Sequence, residues 1–164
     1  ANDNKQRLRL ALGILIALGG PPVLYYGTEV GLSQPRAKGP HREEARHPML
    51  WGEAQDRALL AYVQAWARAR RRHPSLGRGE VCTLYYGEDG STWVGELVYR
   101  EDKTILAVNI GDETADVPLP PGRYQTQTED VVDCQGTYRI SPKSTTCFWP
   151  AADTATSHET ALKA

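Results

Sequence analysis

The chain has 164 residues, 40% of them hydrophobic and 24% charged, with a formal net charge of -1. It has neither the basic excess that marks a nucleic-acid partner nor the acidic block of a solvating tail. Its longest apolar stretch, Leu8 to Leu18, is shorter than the about 20 residues that span a bilayer and lacks a signal-peptide cleavage site, so no membrane partner is expected.

Asp3 reads as a helix N-cap, followed by a helix from Asn4 to Leu18. Leu8, Leu12, Leu15 and Leu18 share one stripe, and Leu10, Ile14, Ile16 and Ala17 fill much of the other side. A helix apolar nearly all round is expected between two layers of protein. Gly19 and Gly20 end it, and Pro21 and Pro22 prevent its return. Val23 to Tyr26 then reads as a short buried strand, so helix, tight turn and strand make one step of an α/β repeat. From Gly27 to Gly52 there is little periodicity, and loops of that length are usually functional.

Helical period returns from about Glu53, with Leu59, Leu60, Tyr62, Val63 and Trp66 on the apolar face, and runs to about Arg72. Arg68, Arg70, Arg71 and Arg72 read as a cationic C-terminus facing the helix dipole. His73, Pro74 and Gly77 stop the helix. From about Gly79 the character changes to strand-like runs at about 80–87, 92–99, 103–109, 114–118, 122–127, 130–133, 137–141 and 145–149. Asp89-Gly90 and Pro121-Gly122 are turn dipeptides among them. Many short strands at this spacing predict an antiparallel sandwich. Beyond Pro150 no apolar period remains, and residues 151–164 are expected to form a loosely held tail.

The three cysteines, Cys82, Cys134 and Cys147, form neither a CxxC nor a zinc spacing. Cys134 and Cys147 are read as buried free thiols, with pairing across adjacent strands as the alternative. His41, His47 and His73 are scattered in loops with no ligand spacing, so neither a metal nor another cofactor is expected.

Three ordered blocks carry a resemblance. Gly20-Pro21-Pro22-Val23-Leu24-Tyr25-Tyr26-Gly27-Thr28-Glu29 resembles the region around the eighth barrel strand of the α-amylase family, glycoside hydrolase family thirteen. Arg46-His47-Pro48-Met49-Leu50-Trp51 is similar to that family's R-x-P-M-x-W segment. Arg70-Arg71-Arg72-His73-Pro74-Ser75-Leu76 with Gly79 resembles its junction into a C-terminal β domain, and Val108-Asn109 matches a habitual feature of that domain. Within the family, the Tyr25-Tyr26-Gly27-Thr28-Glu29 block with the residues after it looks most like cyclomaltodextrinase, neopullulanase and maltogenic amylase.

The resemblance implies an α+β chain in which the last α/β elements of a TIM barrel precede an antiparallel β-sandwich. Residues 1–76 would supply two helices, one strand and a long active-site loop, and residues 77–150 the sandwich. Gly27 would permit a sharp exit from the strand at the barrel's catalytic face, and Tyr25 and Tyr26 would offer flat faces to sugar rings. It also implies a parent enzyme that cleaves or transfers α-linked glucans by a retaining mechanism. Such enzymes need two carboxyl groups about 5–5.5 Å apart. The family places these, and a further Asp in an N-H-D motif, upstream of the eighth strand. Asn2-Asp3 lacks the His of that motif. No catalytic residue is carried over, and the chain alone is expected to be inactive.

Three substrate-side candidates remain. Glu29 either supports an active-site hydrogen-bond network or bonds nearby backbone. Arg46 either contacts a sugar hydroxyl or orders its loop through a salt bridge. Tyr26 either lines the cleft floor or packs in the barrel. The partner implied for the intact parent is an α-glucan oligosaccharide. A second possibility is a carbohydrate-binding β module in which Tyr85, Tyr86, Trp93, Tyr99, Tyr124, Tyr138 and Trp149 stand exposed in a row rather than in the core. Apolar faces stripped of barrel neighbours also predict self-association, with edge pairing of Val23 to Tyr26 as one route.

Overall fold

A computed structural model describes residues 4–33 and 47–152. The first helix, α1, spans Lys5–Ala17. Its cap is Asn4, whose side chain accepts from the Arg7 N–H at 3.0 Å. The expected cap, Asp3, lies outside the described residues. Both residue types cap well, and the first helical hydrogen bond, Leu8 N–H to Asn4 O, selects Asn4. Helix α2 spans Arg57–Arg72 and is capped by the Asp56 side chain, which accepts from the Leu59 N–H. A third, short helix not expected from the sequence, α3, spans Ser75–Arg78.

Eight strands follow: β1 (Glu80–Tyr86), β2 (Thr92–Tyr99), β3 (Asp102–Asn109), β4 (Ala115–Pro118), β5 (Gly122–Thr126), β6 (Val131–Cys134), β7 (Thr137–Ile140) and β8 (Ser144–Pro150). Each lies within a residue or two of its expected run. Six form a sheet in the order β1-β2-β3-β8-β5-β6, and β4 pairs with β7 in a second sheet. Every pairing is antiparallel.

The large sheet has a core on each face. On one side Val94, Ile105, Ala107, Tyr124 and Phe148 meet Val117, Leu119 and Ile140, which closes the sandwich. On the other, Leu97, Leu106, Val108, Cys147 and Trp149 pack against Leu10, Leu12 and Ile16 of α1 and Leu59, Val63 and Trp66 of α2. Strand β3 is buried continuously from Thr104 to Asn109, because a strand covered on both faces has no solvent side to alternate with. Asn109 is fully buried there. Its amide donates to Glu113 O, Ile140 O and Ser141 O and its oxygen accepts from the Gly111 N–H, so no polar atom of it is left unpaired.

Gly13 sets how close α1 approaches. A Cβ there would lie 2.8 Å from the Tyr62 hydroxyl and 3.0 Å from Thr145 Cβ. The Tyr62 hydroxyl donates to Arg9 O, and burial pushes its pKa up to about 12. The three cysteines are free. Cys147 lies in the helix-side core and Cys134 in the sandwich core, on strands separated by β5. Burial drives the Cys147 thiol far above its ordinary pKa.

Two expectations are corrected. Helix α1 is not enclosed by two layers: Leu10, Leu12, Ile16 and Ala17 are buried, whereas Leu15 and Leu18 are exposed. Leu15 and Leu18 border an open groove shared with Pro21 and Pro22, so only one side of the helix is covered by a protein layer. Val23 to Tyr26 is not a strand, and Val23 is 82% exposed. A strand is held by a ladder to a neighbour, and no described strand pairs with this segment.

Candidate functional site

After α1 the chain turns through Gly19-Gly20-Pro21-Pro22. Arg70 of α2 holds this turn. Its Nη1 donates to Leu18 O at 2.9 Å, to Leu76 O at 3.0 Å and to Ile16 O, and its Nη2 donates to Gly20 O. One guanidinium thereby gathers the last carbonyls of α1 and a carbonyl of α3, groups a helix terminus leaves unpaired. From the sequence alone Arg70 belongs with the cations facing its own helix's dipole. The missed signal was positional: Leu59, Val63, Trp66 and Arg70 follow steps of four, three and four, so Arg70 extends the buried stripe.

Leu24 then packs on the helix-side core, and Tyr25 and Tyr26 follow with ring centroids 4.6 Å apart. Gly27, at φ +83°, reverses the chain. Its carbonyl accepts from the Leu32 N–H at 2.8 Å and from the Val30 N–H at 3.2 Å, enclosing a single 3-10 turn at Thr28–Val30. A Cβ on Gly27 would lie 2.6 Å from Leu32 Cδ2, so space as well as φ demands glycine.

The turn is fastened to both helices. Val30 is buried, and its carbonyl accepts from the Asp56 N–H at 2.9 Å. The Asp56 carboxylate meets Lys5 Nζ at 2.7 Å while capping α2. The Lys5 contact, then the Leu59 N–H, hold the Asp56 carboxyl below its ordinary pKa. Glu29 sits half-buried within this turn.

The Tyr26 hydroxyl donates to His47 O at 2.9 Å. This bond joins the Tyr-Tyr-Gly-Thr-Glu block to the segment that begins at His47. Gln55 Nε2 donates to Leu50 O at 2.9 Å and ties the segment's far end, while Trp51 stands 75% exposed. Arg46 lies outside the described residues. Of the three candidates, Tyr26 and Glu29 are described: Tyr26 is exposed and Glu29 half-buried, on either side of the Gly27 reversal. Aromatic faces, a carboxylate and backbone carbonyls are groups that suit contact with a polyhydroxyl ligand. Among the described residues no group of three His, Cys, Asp or Glu side chains is gathered for a metal ion.

The β-region aromatics form no exposed row. Tyr124 and Trp149 are buried, Tyr138 packs edge-on to Phe148 at 4.8 Å, and Tyr85, Trp93 and Tyr99 are half-buried; Tyr86 is the exposed one.

Comparison with known proteins follows the same lines. No family model matches the chain. It is 35% identical over 117 residues to neopullulanase 2 of Thermoactinomyces vulgaris, covering 71% of this chain and 19% of that protein. It is 27% identical over 120 residues to a cyclomaltodextrinase of Geobacillus thermopakistaniensis, covering 70% of this chain and 19% of that protein. The chain thus spans about a fifth of the length of the curated relatives it matches. Among solved structures, an Anoxybacillus α-amylase superposes with a TM-score of 0.70 at 26% identity, covering 90% of this chain and 33% of that one.

Proposed function

Because the chain is homologous to α-amylase-family glycoside hydrolases over a part of their length, we propose that it is the closing portion of such an enzyme. In this reading α1, the Gly27 turn and α2 complete the wall of an α-glucan-cleaving barrel, and the β layers support that wall from behind. Tyr26, Glu29 and Arg46 contact the glucan at the rim. Acid-base and nucleophilic chemistry belongs to carboxylates in segments outside the three matched blocks. The chain by itself then binds or braces but does not cleave.

The observation that supports this most is the Tyr26 to His47 hydrogen bond. It joins two separately recognised motif blocks, the first of which also carries Glu29. The non-strand course of Val23 to Tyr26, with no described strand laddered to it, agrees, since a barrel strand takes its ladder from strands on either side.

The test is turnover of a chromogenic maltooligosaccharide by the purified chain. No hydrolysis is expected, and activity that stays with the chain through successive purification steps overturns the reading. Titration with β-cyclodextrin separates bracing from the binding-module alternative: the proposal expects no saturable binding at the β region, where only Tyr86 of the aromatics is exposed.

A further inference from the structure

Strand β1 closes one end of the large sheet, and no described strand pairs with its outer edge. Natural edges are usually guarded by Pro, Lys or inward charge. Glu80–Tyr86 contains no Pro, Lys or Arg, and its one charge, Glu80, stands at the first position. Val81 is 48%, Leu84 47% and Tyr86 65% exposed. Its one guard is a bulge: register with β2 shifts between Thr83 and Tyr85, which leaves Glu80 to Thr83 as the regular part.

The register also fixes faces. Val81 lies opposite Leu97, Thr83 opposite Gly95 and Tyr86 opposite Trp93, so all three sit on the helix side of the sheet. The helix-side core includes Leu97 and draws in Trp93, but no buried residue of β1 joins it. The apolar surface under the helices therefore continues outward onto a bare strand.

We propose that β1 pairs antiparallel with β1 of a second copy of this chain, about a two-fold axis at Cys82. An antiparallel edge complements its own copy, and the two-fold arrangement closes on itself. An axis at residue 82 sets Val81 beside the partner's Thr83 and matches helix-side face to helix-side face, so the two bare apolar margins become continuous. It also leaves the two Glu80 residues at opposite ends of the paired stretch, roughly 13 Å apart along the ladder, with the bulge at Leu84 closing each end. Parallel pairing would set those charges side by side. The segment Val23 to Tyr26, expected from the sequence to pair in this way, has no strand form with which to do so.

The test is sedimentation velocity of the full chain over a concentration series, joined with a short bismaleimide cross-linker. Cys82 is exposed while Cys134 and Cys147 are buried, so the reagent reads Cys82 in the folded protein. The expected result is a concentration-dependent dimer, a covalent dimer that disappears in Cys82→Ser, and at least tenfold weaker association in Val81→Lys with unchanged circular dichroism. A monomer at every concentration up to about 1 mM overturns the proposal. So does a dimer that Val81→Lys leaves intact and that yields no Cys82 cross-link, an outcome that moves the contact to the exposed flank of α1.

Discussion

Arg70 does at one position what several capping residues do elsewhere. Four carbonyls from two helix ends and the intervening turn converge on its guanidinium. Truncating it strands acceptors in a half-buried site, and hydrogen bonds to a charged group are each worth about 1.5–3 kcal/mol. Arg70→Met, which keeps much of the stem's packing, is expected to lower stability by roughly 2–4 kcal/mol in urea unfolding. Arg70→Lys should recover little, because an ammonium cannot reach four carbonyls in a planar fork. Near-wild-type stability of either variant would show that water replaces the clamp. The residue was visible in the sequence but its role was not: four arginines crowd the helix end, and only the step from Trp66 to Arg70 separates the inward one. Glu29 and Tyr26 are candidates only through the wording of their block, whereas the bond joining Tyr26 to His47 O spans 21 positions and has no local signature.

At the scale of elements, the junction of α2, α3 and β3 turns on Asp102. One carboxylate oxygen meets His73 Nδ1 at 2.9 Å and the other accepts from the Ser75 N–H at 2.8 Å. His73 stacks on Trp149, with centroids 4.4 Å apart, and the Ser75 hydroxyl bonds Thr104. Burial raises the Asp102 pKa, but the His73 and Ser75 hydrogen bonds outweigh it and hold the carboxyl below its ordinary value. The unfolded value is about 3.9, so the stabilisation is present above that pH and is lost as pH falls through the lower folded value. The stability gap between wild type and Asp102→Asn should therefore be full near pH 6 and shrink towards pH 2; a gap constant with pH would remove the carboxylate from the account. All eight β-region strands were legible because turn residues punctuate them and each finds its ladder within the chain. Val23 to Tyr26 has the same apolar character without the ladder. Composition describes a segment's preference, but pairing decides its form.

On the scale of the molecule, the division at residue 76 does not coincide with a division of the core. Leu12, Trp66, Leu97, Leu106 and Trp149 belong to one buried cluster that runs from α1 and α2 into the large sheet. Two blocks with independent cores would melt independently, whereas a shared core ties them together. Thermal unfolding followed by far-ultraviolet circular dichroism, dominated by backbone, and by the fluorescence of the four tryptophans, of which Trp66 and Trp149 are buried in the shared core, should give coincident transitions. Separated midpoints would show the helices detaching before the sheet opens. The large sheet also stands between Cys134 and Cys147 as a partition, one thiol in each core. No oxidant can join them while the strands hold together, so of the three thiols the folded chain presents only Cys82, on its rim, to a change of redox surroundings.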